Sequence, residues 1–227
     1  MKITIDGPAG AGKSTVARAL AERLGFAYLG TGLLYRAVAY YVLRYGVSPE
    51  KIPWDSLVIN VDLSSSRVYL DGRDITPYLT DDNLSKILPA VASVKSVREK
   101  LNQIQRRIVE GALSAGEKGM VRGIVIEGRD SGSYVFPDAE VKIYLDASIE
   151  ERARRRYMEL LGKGVETSYE EVLKSIIERD RKDTTREEAP LVIPEGAVYI
   201  DTTGMAVEDV LRRVEDEVRR FIAGKNR

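Results

Sequence analysis

A chain of 227 residues, 44% hydrophobic, can bury one good core with at most a small appended subdomain. Its 35 Lys and Arg balance 35 Asp and Glu, so no global field draws it to nucleic acid or anionic lipid, and any anion affinity must be local. Cys and His are both absent, which excludes disulfides, thiolate metal sites and a Ser-His-acid triad and leaves Lys, Arg, carboxylates, hydroxyls and magnesium to carry any chemistry.

The first predicted strand, KITID at residues 2–6, runs into GPAGAGKST and then an amphipathic helix over 13–24. Gly7, Gly12, Lys13 and Ser14 satisfy the G-x-x-x-x-G-K-[ST] spacing between a strand and a helix, the context in which that motif has physical meaning. Glycines let the backbone wrap phosphates closely, the helix start adds its positive dipole end, Lys13 reaches the β- and γ-phosphates, and Ser14 offers a hydroxyl to magnesium. The bland alternative is a Gly-rich turn with a surface lysine. A second strand, FAYL, leads into YLGTGLLYRA and a helix over 32–45, where Thr31 and Arg36 either share an anionic ligand or serve as a helix cap and a solvated arginine.

Residues 57–90 break the rhythm, with short alternating segments around Ser-rich and Asp-Gly turns, and read as a small β insert. A helix is predicted over 93–116. Next, GIVIEG delivers Glu127, Arg129 and Asp130 to a buried strand end, with Gly128 and Gly132 permitting an irregular turn; those charges bind a ligand or pair internally. VKIYLD and AVYID complete five core strands, and helices are predicted over 149–161, 168–182 and 206–223, the first two parted by Gly162 and Gly164. Arg179, Asp183 and Arg186 share one helical face, as solvated ion pairs also do, and Arg152 and Arg156 read the same way. The alternation predicts an α/β fold with a parallel sheet of about five strands covered by helices on both faces, in a three-layer α/β/α arrangement. With no signal-peptide pattern, no apolar run of membrane-spanning length and no evident apolar stripe, a cytoplasmic monomer is expected, without nucleic acid or membrane as a partner.

GPAGAGKST, GTGLLYRA, VREKL, EGRDSGSYVFPDAEVKIYLDAS, ERARRR and RDRKDTTREEAPL follow one another in the order and spacing of bacterial-type cytidylate kinases. The resemblance spans essentially the whole chain. It implies phosphoryl transfer from ATP to the small nucleotides CMP and dCMP, with Mg2+. ATP would lie on Gly7, Pro8, Ala9, Gly10, Ala11, Gly12, Lys13, Ser14 and Thr15, with Mg2+ on Ser14, and Arg152 and Arg156 would reach it from a lid. For CMP, the resemblance assigns the phosphate to Arg36 and Arg129, cytosine to Arg98 and Asp130, and the sugar to Arg179 and Asp183, with Thr31, Tyr35 and Gly128 completing the pocket. Lys13, Arg129, Arg179 and Arg186 would be catalytic, Arg186 by neutralising the phosphoryl in flight. The chain then divides into a core (1–56, 91–149 and 187–227), a monophosphate-binding insert (57–90) and a helical lid (150–186) of one kinase domain.

Three positions depart from the family pattern and bear on sugar and base discrimination. Gly30 stands where an aspartate is usual, ITPYLTDDNL lacks an arginine, and Pro89 replaces a serine. The competing readings are a P-loop kinase for UMP, AMP or shikimate, and a nucleotide switch. Arg98 with Asp130 speaks against the first and the arginines at 36, 129, 179 and 186 against the second.

Overall fold

A computed structural model describes residues 1–116 and 122–225; residues 117–121 and 226–227, which the expected core segments include, lie outside the described residues. In chain order the strands are β1 (Lys2–Asp6), β2 (Ala27–Gly30), β3 (Ile59–Asp62), β4 (Arg67–Leu70), β5 (Arg73–Asp74), β6 (Ile124–Glu127), β7 (Val141–Asp146) and β8 (Val198–Asp201). The α-helices are α1 (Lys13–Leu24), α2 (Gly32–Tyr45), α3 (Asp82–Ser93), α4 (Lys95–Gly116), α5 (Ile149–Gly162), α6 (Tyr169–Thr185) and α7 (Val207–Lys225). Five strands form a parallel sheet in the order β2-β6-β1-β7-β8, and β3, β4 and β5 form a separate antiparallel sheet. The result is the expected three-layer α/β/α architecture.

Strand β1 lies at the centre, with Ile3 between Val125 of β6 and Val141 of β7. Alternation sends Ile3 and Ile5 into one core with Leu20 of α1 and Leu211 and Val214 of α7, and Thr4 and Asp6 to the opposite face. Each fully buried Ile or Leu there contributes about 1.5–3 kcal/mol. The other face is closed by Val109 of α4 with Val135 and Phe136, packed on Leu29, Ile124 and Ile126. Helix α1 stops at Gly25, whose φ of 63° turns its N–H back to the carbonyls of Ala21 and Glu22.

The antiparallel sheet falls inside the predicted β insert, and Asp71 and Gly72, at φ 49° and 79°, make the hairpin turn that an Asp-Gly pair favours. One element corrects the reading of the sequence. Residues 82–93, to which the sequence assigns no helix and of which 82–90 fall in the predicted β insert, form α3, and the predicted helix over 93–116 begins only at Lys95. Asp81 caps α3 by accepting the N–H of Asn83 (2.8 Å). Pro89 removes one helical hydrogen bond, and burial of Leu84 and Val91 in the core shared with α2, α4 and the small sheet outweighs that loss. Helices α5 and α6 pack on each other through Ala153, Val172 and Ile176, and the Ser168–Glu171 capping box starts α6. Among the described residues, no helix is long and apolar enough to cross a membrane.

Candidate active site

The loop between β1 and α1 takes its shape from glycines that nothing larger can replace. A Cβ on Gly7 (φ 144°) would stand 1.9 Å from the Leu145 carbonyl oxygen, and one on Gly10 (φ 78°) 2.8 Å from that of Arg152. Pro8, Ala9 and Ala11 are buried, while Ser14 and Thr15 are exposed at the first turn of α1. Gly12 (φ 85°) precedes Lys13, whose Nζ donates to the Pro8 carbonyl (2.6 Å). Burial holds the Lys13 ammonium well below its usual pKa, and the nearby Arg129 and Arg179 add to the effect against the opposing pull of Glu127 and Asp6. Cations crowded together in this way constitute a site for anions.

Arg129 leaves the end of β6 beside that lysine. Its Nε lies 3.4 Å from Asp183 Oδ2 and its Nη1 4.0 Å from Glu127 Oε1. Arg179 keeps an exposed surface on α6 although protein atoms crowd its guanidinium. Its pKa is drawn down to about 10, first by that loss of solvation and then by Arg129, with Asp183 opposing and Arg36 and Arg156 adding. Arg36 is anchored to the Leu79 carbonyl (3.0 Å) and Ser85 Oγ (3.2 Å). Five separated stretches thus bring Lys13, Arg36, Arg129, Arg156 and Arg179 within one another's field.

A buried pocket of mixed polarity adjoins this cluster. Arg98 donates through Nη2 to Asp130 Oδ2 and lies over the Tyr35 ring at 5.7 Å. The Tyr35 hydroxyl has no hydrogen-bond partner, and burial, then Asp130, pushes it up to about 12. Thr31 does not cap α2; its Oγ1 donates to the Glu127 carbonyl (3.0 Å) and packs against Gly128. A cavity of about 300 Å³ opens here, lined by Ala92, Ser93, Lys95, Arg98 and Arg186. Pro89 is exposed on α3 one turn earlier. Arg98 Nε, Arg129 Nε, Asp183 Oδ2 and Arg186 Nη2 are buried without a hydrogen bond, and the last three are held by ion pairs of 3.4–3.6 Å alone.

Two arginines are paired with protein groups. Arg186 lies 3.6 Å from both Asp130 Oδ2 and Asp183 Oδ1, with Nε on the Ala189 carbonyl (2.6 Å). Arg152 is buried beneath the loop, donating to the carbonyls of Ala9 (3.1 Å) and Ala147 (2.9 Å) and to Asp180 (2.5 Å), so its guanidinium is directed at protein. The neighbouring Arg155, which the sequence does not single out, holds the Thr202 hydroxyl and carbonyl (2.9 and 2.6 Å) and lies over Gly12. Gly30 also finds its reason. A Cβ there would meet the Tyr28 hydroxyl at 2.7 Å, and that hydroxyl donates to Glu127 (3.4 Å) while Arg18 covers the ring.

The family model for cytidylate kinase matches residues 3–220. A cytidylate kinase of Caldanaerobacter subterraneus subsp. tengcongensis is 45% identical over 228 residues, covering 99% of this chain and 97% of that protein. One from Fusobacterium nucleatum subsp. nucleatum is 38% identical, with 96% and 97% covered. Among solved structures, an uncharacterized protein from Eubacterium ventriosum superposes with a TM-score of 0.54 at 13% identity, covering 97% and 98% of the two chains, a likeness of fold. A phosphate-binding loop, a second cluster of cations beside it and a family match along nearly the whole length agree: the chain belongs to the cytidylate kinase family of nucleoside monophosphate kinases.

Proposed function

We propose that the protein transfers the γ-phosphoryl group of ATP to CMP or dCMP, giving CDP or dCDP and ADP, as a cytoplasmic monomer acting on free nucleotides. The observation that carries this reading is the adjacency of two sites. Arg129 is close enough to lower the Lys13 pKa, and Asp130, the next residue, is paired with Arg98 in a buried pocket. The triphosphate lies along residues 7–15, where its negative charge opposes the burial that lowers the Lys13 pKa. The acceptor phosphate lies between Arg36 and Arg129, whose forked guanidiniums match its oxygens. Cytosine donates its amino group to Asp130 and accepts at N3 from Arg98. Uracil reverses both edges and leaves Asp130 facing a carbonyl. Arg179 and Asp183 contact the sugar.

The reaction needs alignment and charge, not a base, because the attacking group is already an anionic phosphate oxygen. Lys13, Arg129 and Arg179 stabilise the charge in transit. Arg186, 3.6 Å from Asp130 and Asp183, joins those three cations in neutralising the phosphoryl group in flight. The Ser14 hydroxyl would be the protein ligand for magnesium, which would supply charge neutralisation of the phosphates. The donor fits that ion, a hard hydroxyl oxygen exposed at the first turn of α1. Helices α5 and α6 act as the lid that limits hydrolysis, Arg152 tying them to the loop and Arg156 facing the phosphates.

The test is ADP release with ATP and magnesium against CMP, dCMP, UMP, AMP and shikimate, with Lys13→Ala as control. Turnover of about 1–100 per second is expected with CMP or dCMP, and at least about tenfold less with UMP. If no acceptor stimulates ADP release while ATP still raises the melting temperature, the nucleotide switch is the better account.

A further inference from the structure

The turn that presents Arg129 and Asp130 is held by a side chain from another strand. Asp6, the last residue of β1, is completely buried, and its Oδ1 accepts the N–H of Ser131 (2.9 Å) while Oδ2 accepts that of Gly132 (2.6 Å). Those two N–H groups open a single π turn, Ser131–Val135, and the N–H groups of Tyr134 and Val135 close it on the Asp130 carbonyl (3.0 and 3.1 Å). The packing is tight. A Cβ on Gly132 would stand 2.5 Å from Thr4 Oγ1 and 3.2 Å from Asp6 Oδ2; one on Gly128 would stand 2.9 Å from Thr31 Oγ1 and 3.4 Å from Asp6 Oδ1. The turn therefore cannot shift against β1 without breaking the bonds to Asp6. Gly7, the first residue of the phosphate loop, follows Asp6 directly, so one residue anchors both halves of the site.

We infer that Asp6 is a positioning residue that fixes the Arg129–Asp130 turn against the phosphate loop and so holds the acceptor pocket in register with the donor. This rests on the reading of Arg129 and Asp130 as acceptor contacts. A carboxylate is the side chain that suits the place, because both of its oxygens accept. Asparagine offers one accepting oxygen and an amide whose own N–H groups would face a backbone N–H. Asp6→Asn must therefore push away one of the two donors and move the turn with it.

The experiment is calorimetric titration of the full chain, with magnesium, by CMP and by a non-hydrolysable ATP analogue. Wild type is compared with Asp6→Asn, Gly132→Ala and Thr4→Val. Asp6→Asn and Gly132→Ala, which disturb the same contact from its two sides, are expected to weaken CMP at least about tenfold, the scale of one orphaned buried donor. Both should leave the ATP analogue within about threefold and raise the KM for CMP more than they lower kcat. Thr4→Val removes a hydroxyl that has no partner and should change neither ligand. A folded Asp6→Asn protein with CMP affinity within about threefold of wild type overturns the inference. So does equal loss of both ligands, or failure of both disturbing variants to fold, since Asp6 would then serve the core alone. Wild-type protein that binds the ATP analogue and no CMP sinks the reading of the acceptor pocket itself, a result separable from any behaviour of the variants.

Discussion

Between β1 and α1 the chain turns on Gly7, Gly10 and Gly12 at φ 144°, 78° and 85°, with one charged side chain, Lys13, donating back to the Pro8 carbonyl. Across the end of the sheet the proposed acceptor pocket is nearly all side chain: Arg98 on Asp130, Arg129 on Asp183, Arg186 between both acids. The first half is shaped by the absence of Cβ atoms and the second by pairing of opposite charges. A backbone site tolerates no added atom, and a paired-charge site tolerates no removed partner. Substitutions should separate the two designs.

Gly7→Ala should have the largest effect. With Leu145 backbone 1.9 Å from the new methyl group, the loop or the sheet must move, at a cost above about 5 kcal/mol. Thermal unfolding should show a drop of roughly 10 °C or more, or no folded protein; a normal melting curve with intact ATP binding would break the comparison. Arg98→Met comes next. It leaves buried Asp130 with only the more distant Arg186 (3.6 Å), a loss of about 3 kcal/mol by urea titration. The KM for CMP should rise with that loss while the KM for ATP stays put.

Asp6, the anchor common to both halves, carries a pH signature. Burial, helped by Asp130, lifts its carboxyl from 3.8 to about 6 against the pull of the two backbone N–H groups and Lys13. The native state therefore binds a proton that the unfolded chain releases between about pH 4 and 6, so this group's contribution falls as pH rises through that window. Comparing wild type with Asp6→Asn by urea titration at pH 4.5 and 7 should show wild type losing about 2 kcal/mol relative to the variant. A pH-independent difference would place the Asp6 pKa near its ordinary value. The smallest effect belongs to Lys95→Ala. Its pair with Glu188 (2.8 Å) spans the cavity rim but is exposed, and its loss should cost less than about 1 kcal/mol with CMP affinity nearly unchanged.

The same contrast explains what could be read from the sequence. The phosphate loop is contiguous, so strand, glycines, lysine and helix announce themselves within fifteen residues, and the five core strands follow from their apolar runs. The acceptor half draws on residues from Arg36 to Arg186, and it was the resemblance, not spacing, that grouped them. Asp6 gave no signal because an acid ending a strand usually meets water; only the fold brings Ser131 and Gly132 to it. Arg152, Arg155 and Arg156 are indistinguishable as text, yet helical rotation buries the first, lays the second over Gly12 and points the third toward Arg179. Helix α3 is hidden because 57–90 reads as one β insert from its alternating segments and turns, while the apolar contacts of Leu84 and Val91 that hold the helix come from distant parts of the chain.

The placement of β1 has a consequence for how the molecule comes apart. Its backbone is bonded on both sides, to β6 and to β7, so its amides should exchange with deuterium only when the whole chain opens. The sheet formed by β3, β4 and β5 is short, its last strand contributing two residues, and it supports the α2–α3 side that holds Arg36. Warming should loosen that side first. Just below its melting temperature the protein would then still hold ATP while its grip on CMP has gone, and phosphoryl transfer would fail at a lower temperature than nucleotide binding.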